Sequence, residues 1–168
     1  MSVSAVGYLR IASTDTTAWM DFGTGVLGLM DAQREDDAGA RFLRMDDHPF
    51  RFMIEPADAD KLIATGLEFP NEAAWRSTIA ALEDAGHSVE AGSPEEAQRR
   101  CVSAFSTVQD PAGNTLELYW GRKLDYVPLA SPTGVERFVT TYQQSGDMGF
   151  GHAVLPAPNV EECVDFYT

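Results

Sequence analysis

The sequence predicts an α+β fold of paired βαβββ modules, followed by the start of a third module. Three observations carry that reading. The stretch GYLRIASTDTTAWMDFGT (residues 7–24) has a counterpart, GHAVLPAPNVEECVDFYT (residues 151–168), at a constant offset of 144. Gly7 falls on Gly151, Asp21 on Asp165, Phe22 on Phe166 and Thr24 on Thr168. Asp15-Thr16-Thr17-Ala18-Trp19 returns as Asn71-Glu72-Ala73-Ala74-Trp75 at an offset of 56, a repeat of roughly 55 residues. Each copy sets a helix N-cap residue, Asp15, Asn71 or Asn159, after a strand-like run.

Residues 6–11 open module one (1–57) as a strand. Ser13-Thr14-Asp15 turns the chain and caps a helix over 16–26, with Trp19, Phe22 and Val26 on one face. Gly25 and Gly28 punctuate its end. Strands are predicted over 29–34, 40–45 and 50–55, separated by the polar turns 35–39 and 46–49. Module two (58–120) repeats the order. A strand lies within 61–69, and Asn71 caps a helix presenting Trp75, Ile79 and Leu82 and ending at Ala85-Gly86. A short strand follows at 88–91. Ser93-Pro94-Glu95-Glu96 starts a brief helix, with proline at its first position. Strands at 102–109 and 115–120 are joined by the turn Asp110-Pro111-Ala112-Gly113-Asn114. Residues 1–120 thus form an N-terminal, two-module domain. Pro128, Pro132 and Gly134 interrupt 121–148, which reads as a connector, with 135–140 extended. Residues 149–168 read as the truncated start of a further domain, because the chain stops inside an amphipathic helix.

A chain of 168 residues suffices for one good core or two small modules. Its net charge of −14 would repel nucleic acid and an anionic membrane surface. No apolar run is long enough to span a bilayer, and no secretory leader is visible. Cys101 and Cys163 have no CxxC spacing and read as reduced, partly buried thiols of a cytoplasmic protein.

The duplicated module, the VGYLRI opening, the DPAGNTLELYWG ending of module two and the late GFGHAVL run together resemble the type I extradiol ring-cleavage dioxygenases. These belong to the vicinal oxygen chelate superfamily, whose fold is the paired βαβββ module. The motif DPxGxxxEL is shared with glyoxalases and antibiotic-binding proteins; joined to GxGH after two complete modules it is more specific. The resemblance implies a metal-free N-terminal pair of modules and a C-terminal pair that holds Fe(II) with two histidines and a glutamate. It implies His152, seven residues before the helix cap Asn159, as the first iron ligand. The second histidine, the glutamate and the catalytic residues would lie beyond Thr168, so this chain alone would bind no iron and be inactive. The corresponding first-domain positions are Tyr8, Ala64 and Glu117, a set too poor in donors for Fe(II), and Glu117 reads as a polar relic on the concave side of the sheet.

What the resemblance implies for chemistry is extradiol cleavage of a catechol-type ring, such as 2,3-dihydroxybiphenyl or a catecholic seco-steroid. Two imidazoles and a carboxylate leave three metal positions open, two for the adjacent catechol oxygens and one for dioxygen. Strand alternation places Phe150 and Val154 on the face of His152, as residues lining the substrate pocket. The partners are then a catecholic aromatic and dioxygen, in a homo-oligomer of the kind the family often forms. His48, before Pro49 in a turn, is expected to be exposed. His87 follows Gly86 at a helix end, where a cation suits the dipole. A second reading is a metal-free binder of small molecules, of the bleomycin-resistance type, in which His152 has no role. A glyoxalase-like isomerase would need metal ligands at positions such as Tyr8 and Ala64, which are not there.

Overall fold

Strand pairing follows the repeat in the computed structural model, which describes residues 3–34, 36–136, 138, 141–142, 146–147 and 150–168. Module one runs β1 (Ala5–Ser13), α1 (Thr16–Gly25), β2 (Met30–Asp31), β3 (Arg41–Arg44) and β4 (Phe52–Pro56). Module two runs β5 (Lys61–Phe69), α2 (Glu72–Asp84), β6 (Glu90–Ala91), α3 (Pro94–Arg99), β7 (Ala104–Gln109) and β8 (Thr115–Trp120). The eight strands form one sheet in the order β2-β3-β4-β1-β5-β8-β7-β6. In each half the first strand lies parallel to the last, β1 to β4 and β5 to β8. Antiparallel pairing of β1 with β5 joins the halves. A two-strand ladder, β9 (Thr141–Tyr142) and β10 (Gly146–Asp147), and helix α4 (Val160–Tyr167) follow. Of the extended run expected over 135–140, residues 137, 139 and 140 lie outside the described residues, and 135, 136 and 138 belong to no strand.

The three cap positions hold. Asp15, Asn71 and Asn159 are the N-cap residues of α1, α2 and α4, so the helices begin at the offsets of the repeat. Asp15 and Asn71 accept the backbone N–H three residues on, each at 2.9 Å, which satisfies an otherwise orphaned donor. Asn159 is used differently: its Nδ2 donates to the Pro111 carbonyl at 2.9 Å and ties α4 to the last turn of module two.

Strand alternation sorts the side chains into two layers. Tyr8, Phe42, Phe50, Met53, Phe105 and Tyr119 form one buried cluster on the inner face, with contributions from both halves of the sheet. Curvature of the sheet brings them together. On the outer face, Leu67, Phe69, Val108, Leu116 and Leu118 pack beneath Trp75 and Leu82 of α2. Burial of a leucine such as Leu118 stabilises by about 1.5–3 kcal/mol. The Trp75 indole N–H donates to the Leu118 carbonyl at 2.9 Å, anchoring the helix to the strand.

Helix α1 corrects the sequence reading. Its buried residues are Met20 and Gly23, while Phe22 is 49% and Val26 68% exposed. The cause is the approach at Gly23, where an added Cβ would stand 2.5 Å from Leu43 Cδ1. The helix settles on its smallest residue, so the apolar stripe turns partly to solvent. The strand predicted over 29–34 shrinks to Met30–Asp31, as Gln33 adopts a left-handed φ of 50° and leaves the ladder. The strand predicted over 102–109 starts at Ala104, after Cys101 with φ 56°. Both cysteines are free; Cys101 is half-buried and Cys163 buried.

Candidate functional site

Tyr8 stands opposite Gly66 on β5, and Gly66 opposite Glu117 on β8. The three form one row across the join of the modules. A Cβ on Gly66 would lie 2.6 Å from the Tyr8 ring, so only glycine lets the phenol cross the strand. The hydroxyl then donates to Glu117 Oε2 at 2.6 Å, and the ring stacks on Tyr119 at 5.1 Å. Ala64 stands opposite Arg10, two positions further along both strands.

Glu117 is 2% exposed and has no water for its charge. Arginines replace the water. Arg100 donates from Nε to Oε2 at 2.7 Å and from Nη2 to Oε1 at 2.8 Å; Arg10 Nη1 donates to Oε1 at 2.6 Å. With Tyr8, four donors meet the four lone pairs of the carboxylate. Burial alone would raise the carboxyl pKa, but the hydrogen bonds and charges of Arg100, the Arg10 charge and the Tyr8 hydroxyl outweigh it and hold it below its ordinary value. The same burial, with the Glu117 charge, pushes the Tyr8 phenol well up, so it remains a donor. Arg10 also clasps Glu55 at 2.8 and 3.1 Å; Arg99 reaches Glu55 at 3.0 Å and Asp36 at 2.7 Å. Arg100 pairs in addition with Glu96 on its own helix turn. The position of a would-be ligand is thus the hub of a closed ionic network. Glu117 lacks a free lone pair for a metal, and Tyr8 and Ala64 offer no imidazole. These residues do not fit Fe(II), and the network substitutes guanidinium charge for metal charge.

A second polar cluster was not foreseen. His48, expected at the surface, is 4% exposed. Its Nε2 lies 2.9 Å from Arg122 Nη1 and 3.6 Å from Glu68 Oε2, and its Nδ1 3.5 Å from Asp46 Oδ1. The residues after β8 fold over the turn. The Asp125 N–H donates to the Asp47 carbonyl at 2.8 Å, and Arg44 pairs with Asp125 at 3.0 Å. These contacts span about eighty positions, which a turn motif with proline does not disclose. Burial pushes the His48 imidazole down, but hydrogen bonds to Asp46 and Glu68 prevail and raise its pKa. Burial likewise works against ionised Asp46, yet His48 and Arg51 hold it well below the usual carboxylate range. Donor atoms of Asp46, Asp47 and His48 lie within 4.8 Å of one another. Arg51 Nε already lies 3.1 and 2.9 Å from the two Asp46 oxygens, so that charge is matched by a guanidinium without a metal ion.

The third-copy residues sit elsewhere. Residues 151–158 have no ladder partner among the described residues, although the sequence predicts a strand there. β1 pairs with β5 along most of its length and with β4 from Leu9 onwards; the Phe150 N–H reaches its first half at the Val6 carbonyl, 2.8 Å away, without continuing into a ladder. Gly151, at φ 99°, breaks the alternation that would put Phe150 and His152 on one face. Phe150 packs edge-on against Phe52 at 4.9 Å, whereas His152 is exposed and Val154 is 86% exposed. The other two histidines are engaged away from it: His48 in its ionic cluster, and His87 edge-on to Phe166 at 4.9 Å. A set of two histidines and a carboxylate is therefore not assembled around His152 among the described residues.

Comparison with known proteins agrees with the fold and the resemblance. Residues 6–57 match the family model described as dihydroxybiphenyl dioxygenase BphC D1. An iron-dependent extradiol dioxygenase of Rhodococcus jostii (strain RHA1) is 38% identical over 99% of this chain and 53% of its own length. A biphenyl-2,3-diol 1,2-dioxygenase of Pseudomonas sp. (strain KKS102) is 34% identical over 100% of this chain and 55% of its own. A crystal structure of catechol 2,3-dioxygenase superposes with a TM-score of 0.87 at 26% identity, covering 99% of this chain and 57% of that one. The chain spans about half the length of the curated relatives it matches. It is related along its whole length to the extradiol ring-cleavage dioxygenases, and its fold is the vicinal oxygen chelate fold.

Proposed function

We propose that this chain serves extradiol cleavage of a catechol-type ring, such as 2,3-dihydroxybiphenyl or a catecholic seco-steroid, by dioxygen at an Fe(II) centre. Its part is that of an iron-free first domain, residues 1–120, joined by a connector, residues 121–148, to the start of the iron-binding domain, residues 149–168. Similarity along the whole of this chain to about half the length of proteins named as extradiol dioxygenases is the observation that carries the reading. His152 supplies one imidazole to the iron, and Phe150 and Val154 border the substrate. The remaining ligands and the catalytic groups come from residues outside this chain, which by itself neither holds iron nor opens the ring. The working protein is a cytoplasmic homo-oligomer. Among the described residues no helix is long and apolar enough to cross a membrane.

The first domain acts as a scaffold. Its inner face is filled by Tyr8, Phe42, Phe50, Phe105 and Tyr119, which weighs against a small-molecule binder with its ligand between these two modules. The test is a chimera joining residues 1–168 to the remaining half of the Rhodococcus jostii relative, beside the 168-residue chain. With anaerobic Fe(II) loading and 2,3-dihydroxybiphenyl, the chimera yields the yellow ring-opened product and the short chain none. His152→Ala in the chimera abolishes iron binding. A chimera that keeps its iron after that substitution overturns the assignment of His152.

A further inference from the structure

Residues 121–127 leave β8 at Gly121, whose φ of 70° turns the chain, and lie across the 46–48 turn of module one. Apolar packing does not hold them there: Leu124, Tyr126 and Val127 are all exposed, Tyr126 at 87%. The anchor is polar, and its centre is Arg44 at the end of β3, which is 1% exposed. On the module-one side its Nε donates to the His48 carbonyl at 3.1 Å and its Nη2 to the Asp46 carbonyl at 3.0 Å. On the other side Nη2 also reaches the Asp125 and Val127 carbonyls, at 3.3 and 3.1 Å, and Nη1 pairs with the Asp125 carboxylate at 3.0 Å. Asp125 in turn caps the Val127 N–H at 2.9 Å. One buried guanidinium thus ties together two segments about eighty positions apart. Smaller ties flank it: the Lys123 N–H donates to the Cys101 carbonyl at 2.8 Å, and Arg122 Nε lies 3.5 Å from Glu68.

We propose that residues 121–127 are a strap that opens as one unit while the sheet stays folded, and that Arg44 is the residue that holds it shut. The bonds break together because a single side chain makes most of them. Opening exposes little apolar surface, which is the mark of a segment that opens at less cost than the whole domain. It uncovers His48, which Arg122 meets at 2.9 Å, and it releases the connector from module one. Arg44 therefore decides how firmly the segment that follows module two is tied to module one. The strap stands whether or not the chain serves ring cleavage.

The test is native-state hydrogen exchange on the 168-residue chain in low urea. The Lys123 and Asp125 amides are expected to be protected, to exchange through one common opening and to respond little to urea, whereas amides in the middle of β8 respond steeply. Arg122 and Lys123 also place two trypsin sites in the strap, and cleavage there tracks the open population. Arg44→Met raises the cleavage rate at least about 10-fold, the worth of one lost hydrogen bond to a charged group. Asp125→Asn removes only the charge facing Arg44, lies outside the sheet and raises the rate about 3- to 10-fold, deciding the matter even if Arg44→Met does not fold. Modification of His48 by diethyl pyrocarbonate rises in step with cleavage, while that of exposed His152 does not change. Strap amides that exchange only with β8, strap amides without protection, or a cleavage rate that Asp125→Asn leaves unchanged overturns the proposal.

Discussion

Tyr8 and His152 occupy the same place in the repeat, 144 residues apart, and live in opposite surroundings. Tyr8 is 2% exposed, held between Tyr119 and Phe50 and bonded to Glu117. His152 is exposed beside a left-handed glycine, with no strand beside it among the described residues. The difference lies in what flanks the backbone. β1 has β4 on one side and β5 on the other, so its inward side chains meet a completed sheet. A ring there becomes core, and a carboxylate opposite must be neutralised within the protein. A repeated position therefore specifies geometry, while its neighbours decide between packing and coordination.

The sharpest way to break this contrast is to remove the hub of the closed network. Glu117→Ala leaves Arg10 and Arg100 partly or wholly buried without their shared carboxylate. The expected loss is about 3–5 kcal/mol, read from the urea midpoint, and it marks Glu117 as structural. A loss below about 1 kcal/mol would mean that water reaches the network. Tyr8→Phe is milder, because the ring stays stacked and one hydrogen bond to a charged group goes. The expected loss is about 1.5–3 kcal/mol.

The pH dependence separates the two ionic clusters. Glu117 and Asp46 have folded pKa values below their ordinary 4.5 and 3.8. Their contribution is fully present above those ordinary values and is lost as pH falls through the depressed ones. His48 has a folded value above its ordinary 6.5, so its contribution is full below 6.5 and is lost as pH rises through the raised value. The groups facing it are Asp46, Asp47, Glu68, Arg51 and Arg122. Urea midpoints measured from pH 3 to 9 should therefore fall at both ends. His48→Gln should remove the drop that begins above 6.5 and leave the acid side in place. The smallest effect belongs to the other member of the comparison. His152→Ala should change the stability of this chain by less than about 0.5 kcal/mol, as for an exposed residue outside the packing. A larger loss would show that the residue packs.

Much of the fold was legible because it is written locally. A cap, a turn and a periodic stripe each occupy a few consecutive residues, so α1, α2 and α4 begin where Asp15, Asn71 and Asn159 predict. The turn at Asp110 was legible for the same reason: its carboxylate caps the N–H groups of Ala112 and Asn114. Alternation placed Glu117 on the inner face of β8. It could not supply the partners, since Arg10 is 107 and Arg100 17 positions away. The buried face of α1 was misread because a stripe of Trp19, Phe22 and Val26 says nothing of how closely Leu43 admits Gly23. His48 was misread because residues 122–127 cover it from a distance.

The sequence alone determined the duplicated module, its helix starts, its turns and the repeat position shared by Tyr8 and His152, since all of these depend on short-range pattern. Tertiary structure alone decided that four donors saturate Glu117, that Phe150 and His152 part company at Gly151, and that residues after β8 bury His48. Those outcomes depend on which strands lie side by side and on which charges meet out of reach of water. Neither is a property of neighbouring residues in the chain.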